Sequence, residues 1–301
     1  MAGRPTVTHA ERVLFPDDGV RKVDVVRYYE QVAPVMRRHV QHRPLMLERF
    51  PQGIDADGFF QKDVSGAVPD RVDTVEVPKE KGTVCHPVAN RTAALPALAN
   101  LNTVTFHGWL SRADRLDCPD QLVFDLDPPD GGFGTACSAA LELRELLGEL
   151  GLVPFVKSTG RRGLHVAVPL DRRADFDTSR SFARQVAELL AARHPDGLTT
   201  AIRKEKRGGR VFVDTLRNGY AQTAVVPYSL RAAKGAPVAA PLDWDELTGS
   251  DCHPDRYTIF DVPARLEDIG DPWASMTRGA RSLSAAQRRL ARLAERSRSA
   301  D

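Results

Sequence analysis

The sequence lacks any run approaching the roughly 20 apolar residues that a membrane-crossing helix needs, so a helical membrane protein is excluded. Residues 1–10 carry no apolar core of a secretion signal, which points to a cytoplasmic protein. Cysteine is scarce. The four, Cys85, Cys118, Cys137 and Cys252, are scattered, and none shows the CxxC spacing of a zinc or disulfide framework. Net charge is nearly absent: +2 over 301 residues does not by itself demand a nucleic-acid partner, so local charge must decide. No internal repeat, long linker or low-complexity tract appears, which excludes solenoids and disordered chains. With 42% hydrophobic and 27% charged residues the chain is globular, and the simplest organisation is one compact α/β unit with an N-terminal extension.

What is present starts with Leu122-Val123-Phe124-Asp125-Leu126-Asp127-Pro128. Side chains alternate across a strand, so Asp125 and Asp127 share one face while Phe124 and Leu126 point into a core. Pro128 and Pro129 end the strand. Two adjacent carboxylates repel each other; a divalent cation held by oxygen ligands relieves this, and a solvated strand end is the blander alternative. A second apolar strand at 210–214 ends in another carboxylate, Asp214.

Between these lies Ser158-Thr159-Gly160-Arg161-Arg162-Gly163-Leu164-His165, a tight turn into a strand over 166–170. Glycines let a backbone approach phosphate oxygens and arginines bind them, whereas a plain hairpin has use only for the glycines. Residues 201–235 hold eight Lys/Arg against two acids, a local charge of +6. They include the basic loop 203–210 with Lys204, Lys206 and Arg207, read either as solvated or as a polyanion contact. Phe59 and Phe60 beside Lys62 are either core or a stacking platform for a base. His107 sits on a strand over 103–109, where a lone histidine is either structural or catalytic.

Periodicity predicts helices over 23–40, split or kinked at Pro34, and over 136–150 with Gly151 as its C-terminal cap. It predicts a third helix after a cap at Asp177 or Thr178, and an arginine-rich helix over 284–298 that either covers the domain, the favoured reading, or contacts nucleic acid. Residues 78–90 read as a loop.

The motifs Phe124-Asp125-Leu126-Asp127-Pro128, Ser158–His165 as spelled above and Val211-Phe212-Val213-Asp214 resemble the three motifs of archaeo-eukaryotic primases. More closely, the chain resembles the polymerase domain of bacterial ATP-dependent DNA ligase D, in a stand-alone form. Arg12-Val13-Leu14-Phe15-Pro16, Phe59-Phe60-Gln61-Lys62 and Pro227-Tyr228-Ser229-Leu230-Arg231 extend the likeness, which runs from about residue 8 to about residue 270. It implies an α/β (α+β) fold, with primase-like mixed β-sheets flanked by helices and a single catalytic core. One domain over 1–301 is expected, with DNA-end binding in about 1–110, the core in about 111–240 and a covering segment in about 241–301.

The resemblance implies that Asp125, Asp127 and Asp214 bind two ions of manganese (Mn2+) or magnesium (Mg2+). It places Ser158, Thr159, Arg162 and His165 on the incoming triphosphate, Arg231 as a further contact, and His107 in the nucleotide pocket. Arg12 and Lys22 fall where the family recognises a downstream 5′-phosphate, Phe60 where it stacks on the template, with Phe59 and Lys62 beside it. Lys204, Lys206 and Arg207 lie in a loop that helps seat the primer end or nucleotide. Departures are Thr159 for serine, Arg162 and Arg12 for lysine, and Gln222 where some relatives have lysine.

The implied activity is a DNA-directed nucleotidyltransferase that fills gaps and extends ends, preferring ribonucleotides. Its expected partners are DNA with gaps or 3′ overhangs and a 5′-phosphate, NTP or dNTP, Ku and an ATP-dependent DNA ligase, near the nucleoid and away from membrane. Two other readings stand beside it: a non-catalytic DNA-end binder that recruits a ligase, and a phosphatase whose first Asp of Asp125-x-Asp127 is a covalent nucleophile. The latter family wants Gly-Thr after the motif, and Pro128-Pro129 follows here.

Overall fold

The computed structural model describes residues 6–66, 68–249 and 252–298. Its contacts divide into two compact units. The first comprises Met1–Asp114, Thr223–Ala240 and Asp255–Asp271; the second comprises Arg115–Gln222, Pro241–Pro254 and Pro272–Asp301.

The first unit is built on a four-stranded antiparallel sheet, ordered Thr223–Val225, Thr103–Trp109, Leu45–Arg49, Phe59–Gln61. The helix Lys22–Val40 buries Val25, Val26, Tyr28, Tyr29, Val32 and Met36. Two of these tyrosines are tied down inside: the Tyr28 hydroxyl donates to the Tyr228 carbonyl at 2.8 Å, and the Tyr29 hydroxyl to the Val104 carbonyl at 2.6 Å. Pro34 does not split this helix, contrary to expectation. A mid-helix proline costs about 3 kcal/mol, but each buried aliphatic side chain returns roughly 1.5–3 kcal/mol, and Pro34 lies on the exposed face.

Residues 78–90 are not a plain loop either. Asp73–Pro78 and Thr83–Val88 form a hairpin closed by the Lys79 N–H donating to the Gly82 carbonyl at 3.0 Å, with Gly82 at φ +88°. The charges at 79–81 and Pro87 hid its alternation; in a two-stranded ribbon every strand is an edge, where proline is tolerated.

The second unit carries a six-stranded mixed sheet, ordered Leu198–Thr199, Val211–Asp214, Gln121–Asp127, Leu164–Pro169, Phe155–Ser158, Pro241–Leu242. Only the first pairing is parallel. Helices Phe133–Glu149 and Phe176–Arg193 pack on it. Gly151, at φ +77°, ends the former as expected. The latter is capped by Asp175, whose carboxylate accepts from the Thr178 N–H at 2.8 Å, rather than by Asp177 or Thr178. The helix Leu283–Arg298 does cover: Leu283, Ala286 and Leu290 are buried, and the Arg289 guanidinium donates to the Leu150 carbonyl at 2.9 Å, at the end of the Phe133–Glu149 helix. Among the described residues no helix is long and apolar enough to cross a membrane.

Candidate active site

The second unit's sheet brings the three acids to one face. Asp125 stands directly opposite Asp214 across the antiparallel ladder, and Asp127, two residues on, faces the same way opposite Phe212. Phe124 and Leu126 are fully buried on the other side. The row continues: Asp125 pairs with His165, and His165 with Lys157, so one line of side chains crosses four strands as Asp214, Asp125, His165, Lys157.

Charge along this row is set by burial and neighbours. Burial works to raise the Asp125 carboxyl, but His165, Arg217 and Lys157 outweigh it and leave it below the usual carboxylate range. Its Oδ2 lies 3.4 Å from His165 Nε2 and 3.7 Å from Arg217 Nε. Burial and the Lys157 charge lower His165 to about 4, against the pull of Asp125, so the ring is neutral at pH 7. An ionised Asp125 then places the imidazole proton on Nε2. Asp127 is different: burial, then Asp125 and Asp214, raise it to about 6, with Arg207 and Arg162 opposing. Burial raises Asp214 too, although its Oδ1 accepts the Leu216 N–H at 2.7 Å. The two backbone groups of Val123 are completed by one side chain, the buried Asn218, which accepts from its N–H at 2.9 Å and donates to its carbonyl at 2.7 Å.

The glycine-rich turn is braced from within. The Thr159 hydroxyl donates to the Gly163 carbonyl at 3.0 Å and accepts the Gly163 N–H at 3.2 Å. Gly163 is required here, because a Cβ would collide with the Leu126 carbonyl on the acid-bearing strand. Ser158 and Thr159 are buried, whereas Arg162 is exposed and paired with Asp130 at 2.9 Å. In the basic loop, Arg207 stacks over Phe212 at 4.0 Å and donates to the carbonyls of Ala201 and Ile202, which brings its charge beside Asp127 and Asp214. Lys204 and Lys206 are exposed on a short 3-10 turn.

The first unit holds the other expected residues. His107 Nε2 lies 3.6 Å from Glu48 Oε2, and the His107 ring meets Phe60 edge-on at 5.8 Å. Burial pushes Glu48 up, but His107, Thr105 and the Arg231 charge outweigh it and leave the carboxyl low. Phe60 is 60% exposed, which removes it from the core and leaves its ring open for stacking. Phe59 points to the opposite face, under the Arg49 guanidinium at 5.3 Å, and Lys62 is exposed.

Lys22 is buried at the start of its helix, its Nζ donating to the Thr8 hydroxyl at 2.9 Å. Burial lowers it, and the nearby charges of Arg12 and Arg49 lower it further. Arg12 donates to the Pro51 carbonyl at 2.6 Å. Three cations gathered in this way suit a dianion such as a terminal phosphate.

The family model described as "LigD, primase-polymerase domain" matches residues 21–273, most of the chain. The chain belongs to this family. It is 33% identical over 272 residues to the multifunctional non-homologous end joining protein LigD of Mycolicibacterium smegmatis, covering 89% of this chain and 35% of that protein. It is 34% identical over 253 residues to the multifunctional non-homologous end joining DNA repair protein LigD of Mycobacterium tuberculosis, covering 81% of this chain and 33% of that protein. The chain thus spans about a third of the length of these curated relatives. Among solved structures, the polymerase domain from Mycobacterium tuberculosis ligase D in complex with DNA aligns with TM-score 0.86 and 31% identity, over 92% of this chain and 99% of that one. The mixed α+β architecture expected of the LigD primase-polymerase fold is therefore the one found.

Members of the LigD primase-polymerase family are metal-dependent polymerases. The donor set here fits a hard divalent cation, since all three acids offer oxygen, and Asp127 and Asp214 are raised by burial and then by neighbouring carboxylates, both of which a bound cation offsets. Against this, no three His, Cys, Asp or Glu side chains among the described residues converge closely enough to enclose an ion. What favours an ion here is the oxygen chemistry of the three acids and the face they share.

Four residues around these sites escaped the sequence reading. Lys157 was visible as a lysine inside an otherwise apolar strand, and Arg217 as a cation three residues after Asp214. Glu48 and Arg49 gave no local signal, because their partners come from residues distant in the chain.

Proposed function

We propose that the chain is a DNA-directed nucleotidyltransferase, a primase-polymerase that fills gaps and extends DNA ends in non-homologous end joining, working as one catalytic domain. The observation that carries this is the register that puts Asp214 opposite Asp125 with Asp127 on the same face. Asp125, Asp127 and Asp214 would hold two ions of manganese or magnesium. Metal bound there supplies activation of the attacking 3′-hydroxyl and neutralises charge on the departing pyrophosphate.

The chain's own groups take the remaining roles. His165 fixes the Asp125 carboxylate through Nε2–H, and the Leu216 N–H fixes Asp214. Arg162 and Arg207, whose charges already reach Asp127, bind triphosphate oxygens, with Arg231 as a further contact. Ser158 and Thr159 shape the turn that receives the phosphates. His107 lines the nucleotide pocket, held by Glu48, and a ribonucleotide preference would come from a hydrogen bond to the 2′-hydroxyl. Arg12 and Lys22 take the downstream 5′-phosphate, Phe60 stacks on the template, and Phe59, Lys62, Lys204 and Lys206 add contacts along the DNA. Ku and an ATP-dependent DNA ligase are the partners this reading implies, at the chromosome.

The deciding experiment is extension of a gapped duplex, with and without 5′-phosphate, comparing ribo- and deoxyribonucleotides and manganese with magnesium. Extension that is lost in Asp127→Ala supports the proposal; DNA binding without extension under every condition would sink it and favour the recruiter. Phosphate-backbone binding needs cations, so three acids gathered on one face weigh against that alternative.

A further inference from the structure

We propose that Cys137 and Cys252 form an oxidisable dithiol, which hydrogen peroxide closes to an intramolecular disulfide. The two residues are 115 positions apart, yet their Sγ atoms lie 3.6 Å from each other. Cys137 is buried near the start of the Phe133–Glu149 helix, which packs on the acid-bearing sheet. Cys252 is half-buried and follows the short 3-10 helix Trp244–Thr248. A disulfide needs its sulfurs at about 2.0 Å, and Cys252 lies outside any helix or strand.

Accessibility sets the order of steps. Cys252 meets peroxide first: its sulfur attacks one peroxide oxygen, the O–O bond breaks, and a sulfenic acid and water result. Cys137 Sγ then attacks that sulfur, the S–O bond breaks, and the hydroxyl departs as water with the Cys137 proton. Overall two thiols lose two hydrogens and peroxide becomes two waters, so no further reductant or oxidant is needed. Burial and the neighbouring sulfur push the Cys137 thiol up to about 12, which leaves the first step to Cys252; the resolving attack rests on the 3.6 Å separation of the two sulfurs. The resulting link would close a long loop and fasten the segment after Trp244–Thr248 to the helix behind the acids.

The test treats the full chain with a small excess of peroxide, alkylates the remaining thiols and maps the peptides. The expected result is one cross-linked pair, 137 with 252, reversed by dithiothreitol, while Cys85 and Cys118 stay alkylatable. The oxidised protein should melt several degrees higher, and dithiothreitol should return the midpoint. Cys252→Ser, at the less buried position, should abolish both the link and the shift and leave Cys137 as a thiol. Separate alkylation of Cys137 and Cys252 after peroxide would overturn the proposal. So would oxidation of Cys252 to a sulfinic acid without linkage, or a link involving Cys85 or Cys118.

Discussion

The two units each gather like charges, and they do it differently. In the second, three acids are set by the register of two neighbouring strands, and burial, followed by their mutual repulsion, raises Asp127 and Asp214. In the first, Arg12, Lys22 and Arg49 come from a turn, a helix start and a strand end, and burial with like charge appears as a lowered Lys22. On the proposed reading each arrangement would receive a partner of opposite sign, a metal ion in one case and a phosphate in the other. The contrast is in the scaffold. A ladder holds its charges through backbone hydrogen bonds, whereas the cation cluster depends on tertiary packing.

The sharpest way to break this comparison is to remove a charge from each side. Asp127→Ala should cut primer extension roughly 1,000-fold or more, measured as single-turnover rates at saturating manganese, while DNA binding survives. Lys22→Met, which keeps the volume, should weaken binding to 5′-phosphorylated gapped DNA about tenfold and leave unphosphorylated DNA unchanged, read by titration of labelled duplexes. Equal loss on both DNAs would show that the cluster serves the backbone generally.

Stability should move against activity at the acids. Asp127 has a folded pKa raised to about 6, above its ordinary value of 3.8, so ionising it disfavours the folded chain. That penalty is fully present above pH 6, shrinks as pH falls through 6, and vanishes below the unfolded value. Asp127→Asn should therefore stabilise the metal-free protein at pH 7.5 by about 1 kcal/mol, allowing for the partial exposure of this side chain, and make no difference near pH 3.5. Urea unfolding at the two pH values checks this. The smallest effect should be that of Glu48→Gln, raising the nucleotide KM about threefold with kcat little changed, since Glu48 orients His107 without meeting the reacting atoms.

The same contrast explains what could be read from the chain alone. Asp125-x-Asp127 announced itself because a period of two is written directly in sequence, and Asp214 because an apolar run ended on it. That Asp214 would stand opposite Asp125 could not be read, since register is a property of paired strands. Arg12 and Lys22 came only through family likeness, and Arg49 not at all, because nothing local marks a strand-end arginine as part of a cationic cluster. Nor does composition shift where the chain leaves one unit for the other, near 114, 222, 240, 254 and 271. The second strand of the hairpin at 73–88 was hidden by Pro87, so residues 78–90 read as a loop.

Asn218 has a consequence for how such a chain can change. Its amide imitates one residue of a neighbouring strand, so the sheet is finished without more backbone beside Val123. The strand carrying Asp214 can then stop at its acid, and residues 219–222 form no strand before the chain enters the other sheet at Thr223–Val225. Insertions and deletions just after that amide should be absorbed without displacing the carboxylate.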